Sequence, residues 1–280
     1  MKKRTWFITG ISSGFGHELT KQLLEKGDVV IGTVRSKKKV TDFIDKYPDT
    51  FKCEILDVTD VPGIHNIVDS SFEKFGRIDV IVSNAGYGLF GAAEELSDAE
   101  IDNIISTNLI GSIQLIRSAL PYLRAQGGGR IIQISSYAGQ VALPGKSLYH
   151  ATKFGIEGFC EAVAQEVKPF NIGVTLVEPG GARTEFRYGS AKVANLMPEY
   201  DDNPAHSFLK MLEDSNGLAP GDPARMAARI IESVDRKNAP IRMVLGSQAL
   251  VSTISTLKAR IADYETQTEL ATSTDFPEGE

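Results

Sequence analysis

Cysteine is scarce: Cys53 and Cys160 are the only two in 280 residues. Thiols placed like that have no metal-ligand spacing and make no disulfide scaffold, so both are assigned to the core of a protein made in a reducing compartment. No Asn-x-Ser/Thr sequon occurs, and no apolar run approaches the ~18 residues that cross a bilayer. The basic start Met1-Lys2-Lys3-Arg4 leads into only three apolar residues before Gly10, which is not the pattern of a signal peptide. Nor is positive charge in excess, because 30 Lys and Arg against 36 Asp and Glu leave a net charge of −6. That sign is wrong for a chain whose affinity comes from neutralising phosphate backbones. Internal repeats, low-complexity tracts and linker-like breaks are missing too. These absences leave the expectation of a cytoplasmic protein with neither a nucleic-acid nor a membrane partner. At 42% hydrophobic and 24% charged residues the chain has ordinary globular composition and the length for one large α/β domain.

What is there alternates. Short β-branched runs at 5–9, 29–34, 51–56, 80–83, 130–135, 172–177 and 241–245 are separated by stretches of helical period. Ile64, Ile67, Val68, Phe72 and Phe75 follow one such stretch, started by Thr59-Asp60 with Pro62 in its first turn. The alternation predicts a single doubly wound α/β domain over 1–265, about seven parallel strands with helices on both faces. Residues 187–221 break the pattern with Pro198, Pro204 and Pro220, yet keep Tyr188, Met197, Tyr200, Phe208, Met211 and Leu212, which is the content of a substrate lid. Residues 248–264 read as a last helix, and 266–280 as a frayed polar tail without chemistry.

Thr9-Gly10-Ile11-Ser12-Ser13-Gly14-Phe15-Gly16 joins the first strand to a helix carrying Phe15, Leu19 and Leu23. Without Cβ atoms the backbone can turn sharply and let a pyrophosphate approach free N–H groups at a helix N-terminus. After the first strand of an alternating chain, this points to a Rossmann-type dinucleotide site formed by Gly10, Ser12, Ser13, Gly14, Phe15 and Gly16. The NAD version has a carboxylate at the end of the second strand. Here Val34 stands in that place, Arg35 follows, and Lys37 to Lys39 come next. A guanidinium fork suits a 2′-phosphate, so NADP(H) is the expected cofactor with Arg35 as its reader, and the lysines are left to solvent. The same letters satisfy G-x-S-x-G, the nucleophile elbow of α/β-hydrolases, with Ser12 as nucleophile. An elbow needs preceding strands and a downstream acid then histidine, whereas this turn follows the first strand and His206 lies in the irregular segment. The hydrolase remains a remote alternative.

Tyr149 and Lys153, four residues apart, share one helix face with Cβ atoms about 5 to 6 Å from each other. A nearby ammonium favours phenolate and would bring a group that titrates near ~10 toward the range of a proton shuttle. Together with its neighbours this pair makes the chain resemble the short-chain dehydrogenase/reductase family over roughly residues 4–246. The matching motifs are Thr9-Gly10-x-x-x-Gly14-x-Gly16, Asp57-Val58, Asn84-Ala85-Gly86, Asn108, Ser136, Tyr149-x-x-x-Lys153, and Pro179-Gly180 with Thr184.

The resemblance implies an oxidoreductase in which Tyr149 is general acid or base on a carbonyl oxygen and Ser136 hydrogen-bonds that oxygen. It implies that Lys153 lowers the phenol pKa and holds nicotinamide-ribose hydroxyls, and that Asn108, inside a helix from about Asp98, anchors a water of the proton relay. It further implies that Asp57, followed by Val58, meets the adenine amino group, that Asn84, Ala85 and Gly86 pass under the adenine ribose, and that Pro179, Gly180 and Thr184 contact the carboxamide side. Ser135 is the neighbouring alternative to Ser136, and strand alternation points the two in opposite directions. Ser83 stands where the family usually has asparagine, and His150 is read as structural.

Leu89, Phe90, Val141 and Leu143, with the apolar residues of 187–221, suggest a hydrophobic mouth for a ketone, aldehyde or secondary alcohol, or else simply pack that segment onto the sheet. The helix after Tyr149 is apolar on more than one side, and family habit then implies a homodimer or homotetramer. A catalytically silent NADP(H) sensor is the second reading; such a protein should have lost Asn108, Ser136, Tyr149 and Lys153, all of which stand.

Overall fold

The computed structural model describes residues 3–214 and 219–276, without the side chains of 187, 188 and 212–214. In β1 (Thr5–Thr9) the side chains of Trp6, Phe7 and Ile8 are all fully buried. A strand apolar on both sides must be covered on both faces. The remaining strands are β2 (Val29–Val34), β3 (Phe51–Ile55), β4 (Val80–Ser83), β5 (Leu89–Phe90), β6 (Gly129–Ile134), β7 (Ile172–Pro179), β8 (Lys192–Val193) and β9 (Arg242–Leu245). The helices are α1 (Gly14–Glu25), α2 (Thr41–Lys46), α3 (Val61–Phe75), α4 (Asp98–Ile105), α5 (Gly111–Ala125), α6 (Ser147–Val167), α7 (Ser207–Asp214), α8 (Pro223–Ser233), α9 (Ser247–Glu265) and α10 (Thr268–Thr272).

Seven strands pair in parallel in the order β3-β2-β1-β4-β6-β7-β9, with Trp6 opposite Val30 on one side and Val80 on the other. Alternation along β1 sends Trp6 and Ile8 into a layer with Leu19 and Leu23 of α1, Phe43 of α2 and Ile230 of α8. Phe7 enters the opposite layer, with Ile64 and Phe72 of α3, Leu115 of α5 and Ile156 and Cys160 of α6. The single doubly wound Rossmann-type domain read from the alternation is thus the observed one. Its chain turns back between β1 and β4, and that reversal opens a crevice at the carboxyl ends of the strands.

The capped start of α3 is as expected: Asp60 accepts from Gly63 N at 3.1 Å. Other boundaries differ. β6 stops at Ile134, so Ser135 and Ser136 lie just beyond it, while β7 runs on to Pro179. The helix expected from about Asp98 is α4 and α5 joined by a π-helical turn, Ser106–Ile110, which carries Asn108. The polar tail includes the helix α10, and 277–280 lie outside the described residues. The 187–221 segment contains β8, which pairs with β5, two 3₁₀ turns (Pro198–Tyr200 and Pro204–His206) and α7. Residues 215–218 of it lie outside the described ones. Cys53 and Cys160 are both buried and free. Among the described residues no helix is long and apolar enough to cross a membrane.

Candidate active site

A cavity of about 790 Å³ runs along the carboxyl edge of the sheet, from Arg35 beyond β2 to Phe208 of α7. That is within the ~300 to 1,000 Å³ range of small-molecule and cofactor sites. Its floor at one end is the glycine turn. Gly10 and Gly14 have φ of 71° and 58°, the left-handed region that glycine occupies without strain. Thr9 and Asn84 fix the turn: Thr9 Oγ1 accepts from Asn84 N and Ala85 N at 3.0 and 3.1 Å, and Asn84 Nδ2 donates to Thr9 O and Gly10 O at 2.8 and 3.0 Å. α1 begins without a side-chain cap and without an acidic residue in its first turn. Its free N–H groups and positive end are therefore directed at the cavity, an arrangement that fits a pyrophosphate.

Ser12, Ser13, Gly14 and Phe15 line the cavity, but Gly16 does not. A Cβ at Gly16 would run into Gly10 O and lie 2.5 Å from Asn84 Nδ2, so this glycine serves the close packing of α1 on the turn. Arg35 lines the cavity together with Ser36, Lys38 and Lys39, and the two lysines are exposed at its rim. Asp57 and Val58 line it as well. Asp57 Oδ1 accepts from Thr59 N at 3.0 Å and Thr59 Oγ1 at 2.8 Å. Those bonds, chiefly the backbone one, hold its carboxyl below the usual carboxylate range, with Arg35 adding to the effect.

At the other end Ser136, Tyr149 and Lys153 converge on the same cavity, beside Pro179, Gly180 and Thr184. Ser136 caps a 3₁₀ turn, Tyr137–Gly139, accepting from Ala138 N at 3.1 Å and donating to Pro179 O at 3.4 Å. It is also hydrogen-bonded to Tyr149. Ser135 Oγ, by contrast, is buried without a partner. Lys153 Nζ donates to Ile134 O at 3.0 Å and lies 5.7 Å from the Tyr149 ring centroid. The expected acidification of the phenol is not what this geometry gives. Burial pushes Tyr149 well above its ordinary value, and the Ser136 bond opposes this only in part. Burial lowers Lys153 to about 8, against the raising influence of Glu157.

Asn108 is corrected too. Its amide is taken up by the chain: Oδ1 accepts from Tyr87 N at 3.0 Å, and Nδ2 donates to Tyr87 O at 2.8 Å and Thr152 Oγ1 at 3.4 Å. It does not line the cavity, whereas Asn103 and Thr107 do. The side chain of Asn108 thus ties the Asn84-Ala85-Gly86-Tyr87 loop to α6. His150 is structural, with Nδ1 2.8 Å from Ala138 O and Nε2 accepting from Leu143 N at 2.9 Å.

The apolar mouth differs from the expected one. Phe90 and Phe208 line the cavity with Tyr87 and Phe186, while Leu89, Val141, Leu143, Met197, Tyr200 and Met211 do not. Tyr188 and Leu212 are outside the described side chains. Lys146 also lines the cavity, its Nζ 3.3 Å from the Phe208 ring centroid, a cation–π contact without a sequence signature. The 187–221 segment is pinned from below by Glu95, which is fully buried at its carboxylate. Glu95 accepts from Ala92 N at 2.5 Å and Met197 N at 2.7 Å and meets His206 Nε2 at 2.8 Å. His206 is thereby committed to Glu95 and does not line the cavity that Ser12 faces, so the hydrolase reading loses its histidine.

Comparison with known proteins gives the family and similar folds. The family described as short chain dehydrogenase matches residues 4–193. The chain is 36% identical over 251 residues to the 3-ketodihydrosphingosine reductase of Bacteroides thetaiotaomicron, covering 88% of this chain and 89% of that one. A crystal structure of a short-chain dehydrogenase from Streptomyces avermitilis superposes with a TM-score of 0.91 at 35% identity, covering 98% of this chain and all of the other. The structure of ElxO with NADP bound is similar at 25% identity and a TM-score of 0.73, over 89% of this chain and 100% of that one.

Proposed function

The chain belongs to the short-chain dehydrogenase family, and on that footing we propose that it is an NADP(H)-dependent oxidoreductase interconverting a hydrophobic ketone or aldehyde and its alcohol. The observation that carries this reading is one cavity with a glycine turn and helix N-terminus at one end and Ser136, Tyr149 and Lys153 at the other. The turn from Gly10 to Phe15 would hold the pyrophosphate, and Arg35 with Ser36, Lys38 and Lys39 the 2′-phosphate. Asp57, Val58, Asn84, Ala85 and Gly86 would flank the adenosine, and Lys153, Pro179, Gly180 and Thr184 the nicotinamide riboside. When bound, the dinucleotide supplies or accepts hydride.

The proton side falls to the protein. As the carbonyl carbon of the substrate takes hydride, Tyr149 Oη gives its proton to the oxygen, and Ser136 Oγ hydrogen-bonds that oxygen as charge develops on it. Burial keeps the phenol protonated through neutrality, the state an acid needs for carbonyl reduction. Asn108 acts by holding the Tyr87 loop. Phe90, Phe186 and Phe208 would contact the apolar part of the substrate, with 187–221 as a lid over the domain. Gly158 leaves the outer side of α6 open, with nothing within 4 Å of a Cβ there, whereas Gly155 packs against Leu109. That side is the proposed contact of a homodimer or homotetramer, which analytical ultracentrifugation would report.

The test is NADPH oxidation, followed by absorbance, across hydrophobic carbonyl compounds from benzaldehyde and decanal to a steroid ketone, with wild type and Tyr149→Phe. Turnover that disappears in the variant while NADPH still binds supports the reading. NADPH binding without turnover on any compound favours the sensor.

A further inference from the structure

α6 carries Tyr149, Lys153, Glu157 and Glu161 at successive four-residue steps, a stripe along one face. The first two are used above; Glu157 is not, yet it is 3% exposed. A carboxylate is buried to that degree only when its charge is compensated. Its Oε2 lies 3.0 Å from Arg242 Nη2 of β9 and accepts from Gln140 Nε2 at 3.2 Å. Gln140 closes the turn that Ser136 opens. That turn crosses Glu157 so tightly that a Cβ at Gly139 would be 2.7 Å from Glu157 Cγ. Arg242 also pairs with Glu161 and comes within 2.9 Å of Glu178 Oε1 of β7. Three carboxylates thus share one guanidinium, and Glu178 is raised to about 7 by burial and then by Glu157.

We propose that Glu157 is a positioning residue for proton transfer at Tyr149, bracing the Ser136 turn through Gln140 and sustaining the charge of Lys153, with Arg242 as its counter-ion. The proposal rests on the oxidoreductase reading. The titratable and charged groups facing this stripe are Tyr149 and Glu161 on α6, Tyr137 on the turn, Glu178 on β7 and Arg242 on β9. His150 is turned to Ala138 and Leu143, and Arg260 of α9 stacks on Phe154 to one side.

The sign of the effect is fixed by charge. Glu157 favours the ammonium of Lys153, so removing the carboxylate makes Lys153 lose its proton at lower pH. The experiment measures NADPH affinity by fluorescence between pH 6 and 10, and kcat on the best compound of the carbonyl panel, for wild type, E157Q and E178Q. In E157Q the pH at which affinity breaks should fall by at least ~0.5 unit, with kcat reduced more than KM is raised. In E178Q, which removes a competitor for the same guanidinium, the break should stay or move up. A purely structural Glu157 would lower the melting temperature of E157Q without moving the break. A folded E157Q with wild-type break and kcat overturns the proposal. If E157Q does not fold, Glu157→Asp, which keeps the charge but draws it away from Gln140, takes its place: kcat should fall while the break stays, and a wild-type kcat overturns the proposal. Loss of NADPH binding in the wild type would instead overturn the oxidoreductase reading itself.

Discussion

Tyr149 is 8% exposed and bonded to Ser136, and this local setting decides what the residue can do. A buried phenol holds its proton and gives it up only to a stronger base, such as the alkoxide that carbonyl reduction creates. Tyr149→Phe should lower kcat/KM by about 10² to 10⁴ while NADPH fluorescence still reports binding. Lys153 sets the alkaline side: with its ammonium lowered to about 8, reduction should hold through neutrality and fall as pH rises past that value. A pH–rate profile checks it. At the cofactor end, Arg35→Asp should cost NADPH about 10- to 100-fold in affinity relative to NADH, the equivalent of one charge-assisted bond. Ser136, Tyr149, Lys153 and Arg35 were legible because each stands at a strand end or helix face that the sequence pattern already locates. The amide of Asn108 and the Lys146–Phe208 contact were not. Whether such a side chain points at a ligand or at its own backbone is settled by neighbours far away in sequence.

Elements bring those neighbours together, and the Glu95 carboxylate is the clearest case. It ties the loop before α4 to Met197 and His206, residues about a hundred positions downstream, by hydrogen bonds to a group with no water to fall back on. Glu95→Ala should therefore release the 187–221 segment more than it unfolds the domain. Hydrogen exchange of residues 193–210 should accelerate while that of β1 and β4 does not, and KM for the carbonyl compound should rise more than kcat falls. Strand and helix positions were readable to within one or two residues at most ends, since β-branched runs and 3.6-residue spacing are local signals. The π-helical turn was invisible. No local pattern announces it, nor the close packing of Gly111 at its end against Val58, where a Cβ would lie 2.5 Å from the carbonyl oxygen.

For the whole molecule, strand–helix alternation pointed to a parallel sheet covered on both faces, while the strand order with its reversal between β1 and β4 was not legible. What lay beyond that reading is the buried charge between β7, β9 and α6, because it joins three elements at the edge of the sheet. Glu178 is raised from 4.5 to about 7 in the fold. Its contribution to stability is thus fully present below pH 4.5 and is lost as pH rises through about 7. Melting temperatures at pH 5 and 7.5 should differ less in Glu178→Gln than in the wild type. The central place of β1 has a kinetic side as well. This strand leaves the ribosome before every other strand of the sheet, yet Trp6 must wait for Val80 before its second edge is satisfied. Until then the nascent chain carries an apolar ribbon with one free edge, and such non-local pairing is slow.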